Sequence, residues 1–185
     1  MKKIISVLFA LCLCMAASAQ QHLNFMGIPL DGSIDNFTLK LKAKGVTYDA
    51  AESNSADAGT RIFHGKFMGE KAKFVVFYNS KSKIVFSAAV ELNYPTVESA
   101  HTPFVNLNEQ LQQKYPDATC KEYTGPDGDV DGLAIEIFDE AGENMIGFIL
   151  QTLKAPSSGY GISIYLTYTD SDNFMKSEAI NNEDL

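Results

Sequence analysis

The chain has 185 residues, 45% of them hydrophobic and 21% charged, with a formal net charge of −8 at pH 7. That length suits one domain, or two half-domains sharing a core. The acidic balance makes nucleic acid and anionic membrane poor partners.

Residues 1–19 carry Lys2 and Lys3, an apolar run from Ile4 to Ala16, and a small-x-small ending at Ala17-Ser18-Ala19. This is the layout of a secretory signal peptide, and the run is short for a bilayer span. The expectation is export to the periplasm or beyond, with a mature chain from Gln20 and no integral membrane span. Leu11 and Leu13 precede Cys12 and Cys14 where a lipobox wants a small residue, which argues against lipidation. Once the leader is removed, Cys120 has no intramolecular disulfide partner, and its surroundings read as those of a buried strand residue.

A first unit is expected over residues 20–95. Ser33 is a suitable N-cap for a helix with Ile34, Phe37 and Leu41 on one stripe, and Gly45 is a suitable stop. Alternation then predicts strands at Val46–Glu52, Thr60–Met68, Ala72–Asn79 and Lys83–Asn93. A second unit, residues 96–170, repeats that order. Its helix places Val97, Ala100, Phe104, Leu107, Leu111 and Tyr115 together and closes at Pro116. Pro103 either kinks this helix or marks its first turn, with Thr102 as cap. Strands follow at Ala118–Thr124, Gly132–Asp139, Asn144–Lys154 and Tyr160–Asp170. Residues 171–185 form a polar tail, in which Phe174, Met175 and Ile180 can dock a short helix. The predicted class is therefore α+β: two helix-plus-four-stranded antiparallel sheet units, joined edge to edge in one continuous sheet or packed through their helices.

The sequence Gly125-Pro-Asp-Gly-Asp-Val-Asp-Gly132 has the spacing that opens a calcium loop. Asp127, Asp129, Asp131 and Gly132 fill the first, third, fifth and sixth positions, but Phe138 stands where the bidentate glutamate belongs. The loop reads first as a solvated turn, and second as a looser calcium site completed by a carboxylate from elsewhere. The matching link of the first unit, Ser53–Gly59, has only Asp57 as an ionisable group.

His22, His64 and His101 have no second His or Cys at metal-ligand spacing along the chain, so no zinc site is expected. Glu91 and Glu136 both face away from the apolar side of their strands, which makes a glycosidase-like pair the remaining catalytic candidate. No nucleophile elbow, phosphate-cradling glycine loop or dinucleotide fingerprint is present, so neither an enzyme nor a cofactor is expected. The outward strand faces also carry Val75 and Ala89, together with Phe77, Val85 and Tyr165 as candidate contact residues. The other unit or the tail is the alternative cover for that face.

Two stretches carry a resemblance. The run from Phe25 to Gly45, with its Phe-x-Gly-x-Pro turn and Gly-Ser cap, resembles the opening of small exported proteins of uncharacterised function from Bacteroidetes. The run from Ile162 to Asn173 resembles their terminal strand. The doubled helix-plus-four-strand order is also similar to the fold of beta-lactamase inhibitor proteins, which implies a sheet that grips another protein. The expected function is thus an exported, non-enzymatic protein that binds a protein or envelope component through an open sheet face or hairpin tips. The alternatives are a calcium-dependent module using Asp127–Asp131, or a small hydrolase without a recognisable motif.

Overall fold

In the computed structural model, which describes residues 23–114, 116, 119–124, 130–138, 144–155 and 159–182, the chain opens with a tight hairpin. Strands β1 (Asn24–Phe25) and β2 (Ile28–Pro29) are joined by Met26 and Gly27, with φ of 52° and 72°. Two successive left-handed residues give the type I′ turn, whose twist suits antiparallel strands.

Helix α1 (Ile34–Ala43) follows, and Ser33 caps it by accepting from the Asn36 N–H at 3.4 Å. Its end is a Schellman motif: the Gly45 N–H donates to Lys42 O and the Val46 N–H to Leu41 O, with Gly45 at φ 83°. Buried Leu41 and Val46 supply the apolar contact that accompanies this ending.

Strand β3 (Thr47–Asp49) is shorter than the predicted Val46–Glu52, because the next residues form helix α2 (Ala50–Ser55). The Asp49 carboxylate accepts from the Glu52 N–H at 2.8 Å, and this cap turns the backbone from strand to helix. The link that reads as a plain turn in the sequence is therefore partly helical.

Next come β4 (Thr60–Phe67), β5 (Glu70–Tyr78) and β6 (Val85–Tyr94). A second Phe-Met-Gly triplet closes β4 onto β5, with Met68 at φ 52° and Gly69 at φ 87°. Helix α3 (Val97–Lys114) is capped at Thr96, not Thr102: the Ser99 N–H donates to Thr96 Oγ1 and the Thr96 N–H donates to Ser99 Oγ, both at 3.2 Å. Pro103 thus lies inside the helix. Strands β7 (Thr119–Thr124), β8 (Val130–Phe138), β9 (Asn144–Ala155) and β10 (Gly159–Asp170) precede helix α4 (Ser171–Asn182).

The protein is α+β, and its main sheet is antiparallel with eight strands in the order β3-β4-β5-β6-β10-β9-β8-β7. Each half is a four-strand meander led by a helix, and the halves meet through their closing strands, β6 and β10. On one sheet face lie Phe63, Phe74, Val76, Ala88, Val90, Leu92, Ile162, Ile164 and Leu166, in a single core with residues of α1 and α3. From α3 come Ala100, Phe104, Leu107 and Leu111, four of the six residues of the predicted stripe, while Tyr115 lies outside the described residues. Phe25 of the opening hairpin sits among Phe37, Phe74 and Tyr168, with ring centroids 6.4, 6.3 and 5.5 Å away. Arg61 ties α1 to β4: it donates to Thr38 Oγ1 at 3.0 Å and pairs with Asp35 at 2.8 Å. Among the described residues no helix is long and apolar enough to cross a membrane.

Val85 does not belong to the outward face. It is 0% exposed and sits in the core, because a β-bulge intervenes: Phe77 pairs with Ser87, but Tyr78 pairs with Val85. The extra residue shifts the inside–outside phase at the start of β6, and the Phe86 ring meets Phe174 of α4 at 5.6 Å.

The tail docks mainly through polar groups. Asn173 Nδ2 donates to Leu30 O at 2.7 Å and to Val85 O at 3.4 Å, while Asn79 Nδ2 donates to Ser177 O and Oγ at 3.2 and 3.0 Å. Asp170 caps the helix by accepting from the Asn173 N–H at 2.9 Å. Met175, one of the expected apolar anchors, is 65% exposed.

Asn173→Ala withdraws a buried donor from two carbonyls, and urea denaturation is expected to show a loss of about 1–3 kcal/mol. Met68→Asn, at an exposed left-handed turn position beside a glycine, is expected to gain about 1 kcal/mol in the same measurement.

Candidate functional site

The sheet face opposite α1 and α3 carries the groups with chemical potential. Register fixes a rung across the strands: Thr47 opposite His64, His64 opposite Lys73, Lys73 opposite Glu91, and Glu91 opposite Tyr165. By backbone register the rung continues to Ile149, Ala134 and Lys121. Alternation explains why Lys73 is available here, since its neighbours Ala72 and Phe74 are buried beneath the helices. The adjoining rung is more apolar: Ile62, Val75, Ala89 and Thr167. Beyond it lie Thr60, Phe77, Ser87 and Thr169.

Helix α2 lies beside this face. Ser53 Oγ accepts from the Ile62 N–H at 2.9 Å, and Ile62 is only 7% exposed. Glu52 of this helix reaches two strands: Oε2 pairs with Lys73 Nζ at 3.1 Å and Oε1 faces His64 Nε2 at 3.1 Å. Asp49 Oδ2 approaches the same imidazole nitrogen at 3.6 Å. The Lys73 hydrogen bond is the largest influence holding the Glu52 carboxyl below its ordinary value. An open hollow beside them is lined by Glu52, His64, Lys73, Glu91 and Asn93.

Toward β10 the network continues. Asn93 Nδ2 donates to Glu91 Oε1 at 2.8 Å, and Ser163 Oγ donates to Asn93 Oδ1. Burial first, and then the Glu91 carboxylate, push the Tyr165 phenol above its ordinary value, while Ser163 and Lys73 act in the opposite sense. The ring is thus half-buried within a polar frame.

Of the candidate contact residues, Phe77 and Tyr165 are half-buried on this face and Val85 is in the core. Asp127 and Asp129 lie outside the described residues, whereas Asp131 falls in β8 at a bulge, between Gly132 opposite Tyr123 and Val130 opposite Thr124. Glu136 is three strands from Glu91 in the sheet order and two residues along β8 from its rung, so the two are not cross-strand neighbours. Cys120 lies in β7 opposite Ile135, His101 is exposed on α3, and His22 and residues 1–19 are outside the described residues.

Sequence reasoning missed the convergence of Asp49, Glu52 and His64. The available signal was Asp49-Ala50-Ala51-Glu52, a capping pattern that marks a helix start inside an apparent strand.

Tyr165 also sets an alkaline prediction. Its folded pKa is raised, so its stabilising contribution is complete below 10.0, the ordinary value, and is lost as pH rises through the folded value. Thermal melts of Tyr165→Phe are expected to fall less steeply above pH 10 than those of the unmodified chain; parallel curves would contradict this.

Comparison with known proteins finds no matching family model, no matching curated protein and no matching solved structure.

Proposed function

We propose that this is an exported, non-enzymatic binding protein that takes a protein or envelope component on the sheet face opposite its helices. The observation that carries the reading is the pairing of two unlike rungs. One presents Lys73, Glu91 and Tyr165, and the next presents half-buried Val75 and Thr167 on either side of Ala89, which is 6% exposed. An apolar strip beside oriented charge and a phenol gives both contact area and register, and tyrosine is favoured at such surfaces. Phe77 extends the apolar strip.

The element order supports the same reading, since two helix-led meanders resemble the arrangement in beta-lactamase inhibitor proteins. The leader at residues 1–19 supplies the route out of the cytoplasm, to the periplasm or beyond.

The test is a photo-crosslinking capture from envelope extract and secreted material, with the crosslinker at position 165 or at position 39. Leu39 is 66% exposed on α1, away from the proposed face. A discrete partner captured from position 165 alone is expected. Its measured affinity should drop about tenfold or more in Tyr165→Ala and Lys73→Glu. Equal capture from both positions, or an affinity indifferent to both substitutions, would count against the face.

A further inference from the structure

We propose that Asp49, Glu52 and His64 form a zinc-binding site, with one coordination position open toward the hollow lined by Glu91 and Asn93. The three donor atoms come from the end of β3, the first turn of α2 and the middle of β4, and all lie within 4.8 Å of one another. His64 Nε2 stands 3.1 Å from Glu52 Oε1 and 3.6 Å from Asp49 Oδ2. A tetrahedral zinc with donor bonds of about 2.0–2.2 Å spaces adjacent ligands by about 3.3–3.6 Å. The two separations from the imidazole fall within a few tenths of an ångström of that spacing, and the two carboxylate oxygens lie within 4.8 Å of each other.

The surroundings orient each donor. Asp49 Oδ1 is held by the Glu52 N–H at 2.8 Å, which leaves Oδ2 turned to the imidazole. Glu52 Oε2 is held by Lys73 Nζ at 3.1 Å, which leaves Oε1 turned to the same atom. Such outer partners fix ligand orientation in metal centres. Two carboxylate oxygens thus converge on one nitrogen, and a neutral imidazole donates through Nε2 to only one of them. A dication satisfies all three donors at once. Imidazole with two carboxylates selects a first-row transition ion over calcium or magnesium. Lys73 neutralises part of the negative charge, so the site suits moderate affinity.

The experiment uses a chelator-stripped full chain carrying His22→Ala and His101→Ala, which leaves His64 as its only imidazole. Calorimetric titration with zinc at neutral pH is expected to saturate at one ion per chain. Cobalt in place of zinc should give the intense visible bands of a four-coordinate centre. Adding His64→Ala should weaken binding by about 100-fold or more. Asp49→Asn, which keeps a helix-capping side chain, should weaken it by about tenfold or more. Absence of saturable binding, a pale six-coordinate cobalt spectrum, or affinity unchanged in either variant would overturn the site. Circular dichroism melts of both variants separate lost ligation from lost folding.

Discussion

The pairing of β6 with β10 is the constraint on which the rest of the molecule depends. Each strand closes its own meander, and only their ladder, from Ile162 opposite Tyr94 to Thr169 opposite Ser87, turns two four-stranded sheets into one. Its helix face places Leu92 opposite Ile164 and Val90 opposite Leu166, all at most 4% exposed. Burial of side chains of this kind stabilises by about 1.5–3 kcal/mol each, so the join is also the middle of the core. The same ladder sets Glu91 opposite Tyr165 on the other side. A one-residue shift of β10 against β6 would exchange the faces of β10, placing Tyr165 beneath the helices and Ile164 and Leu166 beside Glu91. Core and candidate surface are therefore specified by one register.

Polar bonds seal what the apolar core leaves open. Buried Asn79 and Asn173 use directed amide groups to hold α4 against the β5–β6 turn and the start of α1. The amide nitrogens donate to the carbonyls of Leu30, Val85 and Ser177, which makes the dock specific as well as adhesive. At the opposite edge α2 acts differently. It is short and begins on a strand-end aspartate, yet it brings Glu52 over β4 and β5, where Lys73 and His64 receive it. Local capping chemistry thus becomes long-range charge placement.

Much of this architecture is legible in the sequence where local signals agree. Ser33 and Gly45 bracket α1 because both ends have side-chain or backbone chemistry of their own. Alternation locates the long strands, and helix-then-strands recurs often enough to anticipate the order. The misreadings share a cause: each depends on a partner distant in the chain. Val85 alternates correctly along β6, but the bulge against β5 that reverses its phase is a property of two strands. Residues 50–52 continue a plausible strand until Asp49 is recognised as a cap. Asn173 looks like a solvated residue, and nothing beside it reveals that Leu30 and Val85 wait across the fold. The rung from His64 to Tyr165 was equally hidden, although each member alternates as an outward residue should. The Phe-Met-Gly triplet occurs twice as a turn, and methionine is an unusual occupant of its left-handed position.

The place of β10 has a consequence for the order of events when the chain folds. This strand is made after the other seven, yet it occupies an inner position between β6 and β9. The first meander can assemble early, but β6 then waits with an unpaired edge beside Val90 and Leu92. Until residues 162–169 arrive, the strand able to complete that edge can belong to this chain or to a neighbouring copy. Folding is thus a race between closure within one molecule and strand exchange between two. Dilution favours closure, whereas crowding of newly released chains favours exchange.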